Sequence, residues 1–427
     1  MEFKYGLEDR PPLWEAVMVG LQWCALAVPF MIILGKVASA VHTADPEYQT
    51  VYLQKTAFVM AAFLILEIFL GHGFPLVMGP SAIILIGIIS SQGFDIHTIY
   101  TAVASGGLIL ALSGITGLFG YLQPLFTRRV VGVVLLLITF TLMPTILKLI
   151  SGPKDASSQT HVIYALILIS ATLICHRFFK GIWKSQLILL SMAAGSIVYF
   201  ILVPENLSSG PIFALKPLSS FFRDTIIDLS FDTGLFISFL VSFVALSIND
   251  IGSIQSINAF TKSENIVYRL NRGIFFTGLA NVASGLFGVI GQVNYSISVG
   301  VVTATGSLSR FTLIPAALFL LLISFSPMMI GFLGAVPPVV IGSVMLYVLC
   351  TQVYASLIVA FDTLGKITFR EGMIVGIPLI VATIIAFMPF SFFHNVPHTL
   401  QPVVSNGFVM GFITLLVLEH GIFRKRD

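Results

Sequence analysis

The chain has 427 residues, 57% hydrophobic and only 10% charged, against roughly one quarter charged in a soluble domain, so a water-soluble fold is excluded. At about 20 apolar residues per crossing, the length admits at most about fifteen to eighteen membrane spans. The net charge of +3 is scattered through short connections, with no single basic face to track phosphates, so nucleic acid is not an expected partner.

The first seventeen residues, MEFKYGLEDRPPLWEAV, carry acids, a proline pair and a Trp without a basic n-region or an A-x-A site, so no signal peptide is expected. Apolar runs broken by charge or by Gly and Pro give fourteen segments. They fall near 13–35, 55–70, 72–91, 96–122, 130–150, 162–178, 186–203, 228–260, 273–290, 292–309, 311–335, 339–361, 372–389 and 407–422. One membrane transport domain fills residues 1–427, its halves near 12–204 and 228–423. With the N-terminus in the cytoplasm, sixteen of the 22 Lys and Arg fall inside; Lys36, Lys55, Lys148, Lys154, Lys216 and Arg223 fall outside. That bias supports both the count and cytoplasmic termini in an inner cell membrane.

Segments three and ten are too irregular for plain helices. In 71–90 the run Gly79-Pro80-Ser81 reads as a helix start at mid-membrane, with Pro80 at the first helical position. In 288–307 a polar run of Gln292, Asn294, Tyr295, Ser296 and Ser298 precedes an apolar stretch. Each is expected to fold as strand, break and half-helix. Interrupted segments in both halves are the sequence mark of a transporter's binding site. Two opposed half-helix N-termini there would offer free N–H groups. A short echo joins the halves: Arg129-Val-Val-Gly132 and Pro338-Val-Val-Ile-Gly342 place glycines 210 positions apart (342 − 132), seven segments on and so oppositely directed.

These residues resemble the nucleobase–ascorbate transporter family, also called nucleobase:cation symporter-2. The likeness lies in Tyr5-Gly-Leu-Glu-Asp-Arg-Pro-Pro12 with Gly20-Leu-Gln22, in Pro75…Gly79-Pro80-Ser81, in Tyr295…Gly300-Val301…Thr305-Gly306…Ser309-Arg310, and in Pro337-Pro338-Val…Gly342, all in order over most of the chain. The resemblance implies an all-α fold of fourteen segments as a seven-plus-seven inverted repeat, with short strands in segments three and ten. It also implies core and gate domains, substrate held between segments three, eight and ten, and often a dimer. Four residues depart from the pattern. Trp23 stands where the family usually has His, Asn249 where it has a substrate-binding glutamate, and Ile297 and Ser298 where it has a glutamate or glutamine plus asparagine.

Asp250 is the acid well inside segment eight, and an isolated buried charge costs several kcal/mol unless paired, so it is a candidate for coupling or for an interdomain pair. Glu67 with His72 at the end of segment two is a second candidate, for a proton relay or for capping a backbone break. Ser81, Ala82, Asn249, Ser253, Tyr295, Ser296 and Ser298 offer neutral donors and acceptors around the midplane, suited to a flat heterocycle or a small anion, or simply to helix–helix contacts. Trp23 either stacks on a planar substrate or fills the histidine's space. Gln22 is expected to buttress segment one, and Glu15, Glu419, His420, His394 and His398 to sit at segment ends.

No cofactor or metal is expected. Cys24, Cys175 and Cys350 are widely separated in apolar runs, and no G-x-x-x-x-G-K-[ST], H-E-x-x-H or G-x-S-x-G occurs in the context its chemistry needs. The expected activity is secondary transport of a nucleobase-like heterocycle, with a co-transported proton or cation. Two alternatives stand beside it: a sulfate- or bicarbonate-type carrier on the same scaffold, and a membrane sensor or enzyme.

Overall fold

The computed structural model describes residues 3–117, 127–152, 158–179, 183, 186–203, 228–361, 368–393, 395–397 and 399–423. Lys154, Lys180, Lys184, Lys216, Arg223, Lys366, Arg424, Lys425 and Arg426 lie outside them, as do His394, His398 and the expected end of segment four.

The regular elements of the described chain are helices apart from two three-residue strands, with one isolated bridge between Tyr5 and Ser307. It begins with α1 (Leu13–His42) and α2 (Pro46–Phe69), then β1 (Met78–Pro80), α3 (Ala82–Ser90) and α4 (Ile96–Thr116). Next come α5 (Arg128–Thr141), α6 (Met143–Ser151), α7 (Ser158–Phe178) and α8 (Leu187–Leu202). The later half holds α9 (Thr233–Thr261), α10 (Ile266–Phe287), β2 (Gln292–Asn294), α11 (Ser298–Thr305), α12 (Ile314–Ser324) and α13 (Pro327–Gly334). It closes with α14 (Pro338–Ala360), α15 (Phe369–Phe387), α16 (Gln401–Val404) and α17 (Gly407–Leu416). Among the described residues eight helices are long and apolar enough to cross a membrane, counting α5 and α6 as one.

The boundaries follow capping chemistry. Asp45 precedes Pro46 and accepts from the N–H groups of Glu47 and Tyr48. Thr127 and Asp232 cap α5 and α9 in the same way, and Thr368 with Glu371 forms a capping box on α15. Gly288 and Gly306 close α10 and α11 in the left-handed conformation.

Three segment limits differ from the sequence reading. Lys36 and Lys55, expected in an outer loop, lie inside α1 and α2. The Lys36 ammonium is satisfied at long range, donating to the carbonyls of Gly334 at 2.5 Å and Val336 at 3.1 Å. At 30 residues α1 is about 45 Å long, more than the hydrocarbon thickness, and so tilts or projects. Segment eleven is not one rod: its two helices, α12 and α13, bend by 101° at Phe325-Ser326, where Pro327 stops the first and the Ser326 side chain caps the second. Pro80 ends β1 instead of opening a helix, because Ser81 is the cap of α3.

Contacts divide the helices into two packing groups. In the first, α4 lies along α10 and α2 along α12, with α1, α3, α9 and α11 beside them. Small residues let the backbones touch: a Cβ on Gly278 would meet Ala111, on Gly285 Ala104, on Gly107 Asn281 and Val282. In the second group α14 packs on α5, α6 and α7, and α15 on α17 and α5. A Cβ on Gly132 would meet Ala360 and one on Gly342 would meet Ile150, so the two contacts are related by one shift of 210 positions (342 − 132 and 360 − 150). Arg129 ties three helix ends of this group, donating to Glu371 at 2.9 Å and Glu419 at 3.0 Å. The belt is apolar: Leu166, Ile201 and Leu322 are 60–72% exposed, as side chains facing lipid are.

Candidate functional site

The two strands cross as an antiparallel pair, Met78 opposite Asn294, Gly79 opposite Val293 and Pro80 opposite Gln292. Pro80 donates nothing to the ladder, tolerable in a sheet of two strands. The flanking bonds repeat the two-fold relation: Ser81 N–H donates to the Gly291 carbonyl and Tyr295 N–H to the Val77 carbonyl, each 2.8 Å and each pair shifted by 214 positions (295 − 81 and 291 − 77). Extended backbone at this depth is lined on every side by protein, as it must be.

Most expected substrate residues hold these strands. The Tyr295 hydroxyl donates to the Pro80 carbonyl at 2.9 Å, and its ring lies 5.1 Å from that of Phe30. A Cβ on Gly79 would stand 2.5 Å from that hydroxyl, so only glycine admits the ring. The Ser298 hydroxyl accepts from Val77 N–H at 3.0 Å. The single hydrogen of the Ser253 hydroxyl is shared between the carbonyls of Asn249 at 2.8 Å and Asn294 at 2.9 Å. Trp23 is fully buried and donates through Nε1 to the Thr312 hydroxyl at 3.0 Å, within the wall between α1 and the turn before α12. The side-chain carbonyl of Gln22 has no hydrogen-bond partner among the described residues.

The two candidate acids, read separately in the sequence, belong to one buried network. Asp250 accepts three bonds: from the Thr277 hydroxyl at 2.8 Å, from Asn294 N–H at 3.1 Å and from the Asn294 side-chain amide at 2.8 Å. Glu67 accepts from His72 N–H at 3.0 Å, and its other oxygen lies 3.4 Å from the Thr277 hydroxyl. Thr277 and Asn281, both on α10, belong to this network and were missed by the sequence reading. Asn281 clamps Gln292 from both sides, accepting from its N–H at 3.0 Å and donating to its carbonyl at 2.9 Å. Their signal was available: Thr277, Asn281 and Ser284 recur at helical spacing on one face of an otherwise apolar segment.

What remains open is narrower than expected. Asn249 is half-buried and its side-chain amide makes no hydrogen bond among the described residues; Ser296 is exposed. Gly252 of α9 and Gly300 of α11 have no atom within 4 Å of where a Cβ would stand. The N–H groups of Ala82 and Ile83, in the first turn of α3, find no backbone acceptor, while Ile84 N–H is taken by the Ser81 hydroxyl at 3.4 Å. At α11 the first turn is wound tightly, and the N–H groups of Ser298, Val299 and Gly300 bond to the carbonyls of Tyr295, Ser296 and Ile297 at 3.1, 3.2 and 2.9 Å. The expectation of two free N-termini therefore holds for α3 and not for α11.

A cavity of about 490 Å³ lies elsewhere, between the C-terminal end of α3 and the second packing group, lined by Gln92, Lys148, Phe393 and Ser405 among others. Among the described residues no cluster of His, Cys, Asp and Glu is arranged to hold a metal ion.

The model of the Permease family that covers xanthine and uracil permeases matches residues 14–391. The chain belongs to that family. It is 23% identical to the xanthine permease of Bacillus subtilis over 84% of this chain and 82% of that one. It is 24% identical to a nucleobase transporter of Paenibacillus larvae over 82% and 80%, and 22% identical to the uric acid permease PucK of Bacillus subtilis over 99% and 98%. Among solved structures, it resembles the transmembrane domain of the cyanobacterial bicarbonate transporter BicA, with a TM-score of 0.63 at 15% identity over 88% of this chain and 96% of that one. It also resembles the murine anion transporter Slc26a9 in its inward-facing state, with a TM-score of 0.59 at 14% identity over 95% of this chain and 68% of that one. This permease is thus a multi-pass membrane protein that handles a small molecule and is not an enzyme.

Proposed function

We propose that this permease is a secondary transporter of a nucleobase-like heterocycle, a purine or pyrimidine, working by alternating access across the cytoplasmic membrane. The cargo sits where α3, α9 and α11 meet. Ala82 and Ile83 N–H groups and the unpaired Asn249 amide face it, Ser296 stands at its edge, and Ser81, Ser253, Tyr295 and Ser298 hold the walls. The observation that carries this reading is the asymmetry of the half-helices. One donates free N–H groups and the other consumes its own, leaving a mixed donor–acceptor site with one amide that matches a lactam or amidine edge. A small anion is better served by two free N-termini. Relatives named for xanthine, uric acid and nucleobases support the same cargo class.

The reading includes fourteen segments in two inverted halves, near 12–204 and 228–423, with both termini cytoplasmic. The first packing group acts as core and the second as gate. The repeated shifts of 210 and 214 positions at the helix and strand contacts support the inverted relation. Transport is coupled to a proton or another cation through the acids Asp250 and Glu67, and the protein works as a homodimer.

The test is thermal stabilisation of the detergent-purified protein by purines, pyrimidines, ascorbate, sulfate, bicarbonate and dicarboxylates. A ligand at a hundred times its Kd adds about 2.7 kcal/mol to the native state. A shift from one heterocycle class, reduced in Asn249→Leu, is the expected result. A shift from bicarbonate or sulfate alone would transfer the scaffold to anions, the cargo named for both structural neighbours.

A further inference from the structure

Thr277 has one hydroxyl hydrogen and two carboxylates beside it. The distances assign that hydrogen to Asp250, at 2.8 Å, leaving the Thr277 oxygen facing a Glu67 oxygen at 3.4 Å. On the same hydroxyl oxygen the Asn294 amide donates at 3.2 Å. Asp250, with three donors, is solvated as a carboxylate should be. Among the described residues Glu67 has one hydrogen bond shorter than 3.4 Å, from His72 N–H on its other oxygen. Two oxygens facing each other with no hydrogen between them repel; a hydrogen on Glu67 fills that gap.

The neighbouring charges do not neutralise the pair. His72 stands 3.6 Å from Glu67, but its Nδ1 accepts from Phe74 N–H at 2.8 Å, which puts the ring hydrogen on Nε2 and leaves the ring neutral. Arg269 of α10 and Arg310 of the turn before α12 point guanidinium groups at the carbonyls of His72 and Ile68, each at 2.8 Å, and Arg310 is also paired with Glu8 at 2.6 Å. Glu67, Asp250 and His72 are all fully buried. Two ionised carboxylates around one hydroxyl, with no cation paired to either among the described residues, is the arrangement a buried site does not tolerate.

We propose that Glu67, Thr277 and Asp250 form a proton relay in which Glu67 carries the exchangeable proton, Asp250 rests ionised, and the Thr277 hydroxyl passes the proton between them. This deepens the transporter reading above and rests on it. In the transfer the Glu67 proton moves to the Thr277 oxygen while the hydroxyl's own hydrogen moves to the facing Asp250 oxygen. One proton is displaced, Glu67 becomes the anion, and no electrons change hands. A protonated Asp250 is a weaker acceptor for both N–H groups of Asn294, so the strand that presents Tyr295 and Ser296 loosens. The proton's position is thereby felt at the cargo site. Asp250 becomes the resting anion, and Thr277, silent in the sequence reading, becomes the coupling element.

The experiment has two arms on the full-length protein. In the first, infrared difference spectra between acid and alkaline pH follow the C=O stretch of a protonated carboxyl group. The expected band is lost in Glu67→Gln, whose amide mimics the protonated acid and keeps both contacts, and its titration moves in Thr277→Val but not in Thr277→Ser. Absence of the band from the unmodified protein, or its loss in Asp250→Asn with survival in Glu67→Gln, overturns the relay. In the second arm, proteoliposomes carry xanthine or urate as probes. Glu67→Gln should keep counterflow exchange yet lose accumulation driven by a proton gradient by about tenfold or more, the scale of ordinary coupling between two ligand sites. Equal loss of both activities overturns the coupling role. If the unmodified protein moves neither probe, the cargo reading fails while the infrared arm still decides the proton site.

Discussion

Replacing Asp250 by Ala should be among the most damaging single changes in this protein, and replacing it by Asn much milder. The Ala variant leaves two fully buried donors without an acceptor, Asn294 N–H and one hydrogen of the Asn294 amide, while the Thr277 hydroxyl can still turn to Glu67. At about 1–3 kcal/mol for each buried group left unsatisfied, the loss is about 2–6 kcal/mol. An Asn at the same place can keep its carbonyl on Asn294 and donate its amide to the Thr277 oxygen. The Thr277 hydrogen then turns to Glu67, 3.4 Å away and ionised in this variant, where no second carboxylate opposes it. Every group retains a partner and only the charge assistance is lost, which halves the strength of those bonds and costs about 1–2 kcal/mol. The assay is the melting temperature of detergent-purified protein with size-exclusion chromatography for both variants. If Asp250→Ala melts with Asp250→Asn, or with the parent, these bonds do not hold the strand.

Gly79→Ala sets a methyl 2.5 Å from the Tyr295 hydroxyl, so it should cost about 1–3 kcal/mol of overpacking plus about 1 kcal/mol for the displaced bond to Pro80. The ring carbons Cζ and Cε2 would stand 2.7 and 2.8 Å from the same methyl, so adding Tyr295→Ala, which removes the whole ring, should cost less than the sum of the two single changes in the melt; strict additivity would place the collision elsewhere. Trp23→Phe should lower stability by about 1 kcal/mol through the lost donation to Thr312 and leave the ligand-induced melting shift unchanged. A diminished shift would mean that the ring reaches the cargo.

The interrupted segments were legible in the sequence because Gly, Pro and a polar run inside an apolar stretch break the helical ladder at a depth where water cannot repair it. Both strands appear there, at Met78–Pro80 and Gln292–Asn294. The glycine echo was legible too, and in the fold Gly132 meets the C-terminal end of α14 while Gly342, near the start of α14, meets α6. What could not be read was anything set by partners far along the chain. Lys36 looked like a loop residue because its acceptors, Gly334 and Val336, lie about three hundred positions away. Ser253 and Ser298 looked like cargo contacts because their role as strand clamps depends on Asn294 and Val77, which only the crossing brings near. Glu67 and Asp250 were each noticed, but nothing in their spacing announces that Thr277 stands between them.

The backbone at the crossing obeys a two-fold relation that its side chains do not. Paired bonds at Ser81 and Tyr295 repeat with one shift, yet Ser81 caps its half-helix with a side chain while α11 satisfies its first turn with its own carbonyls. The polar load is equally one-sided: Asp250, Thr277, Asn281 and Ser253 all bear on β2. Among the described residues, the one side chain bonded to β1 is the Tyr295 hydroxyl at Pro80, while Ser298 reaches Val77 just ahead of it. A symmetric scaffold suits alternating access, because each half can offer the other's conformation at similar energy. A chemically asymmetric centre suits coupling, because a proton must alter the grip on one strand to bias the exchange. Asp250 bonds to β2 and, among the described residues, to no group of β1, so β2 is the strand whose hold on the cargo should answer to pH, and β1 the one that should not.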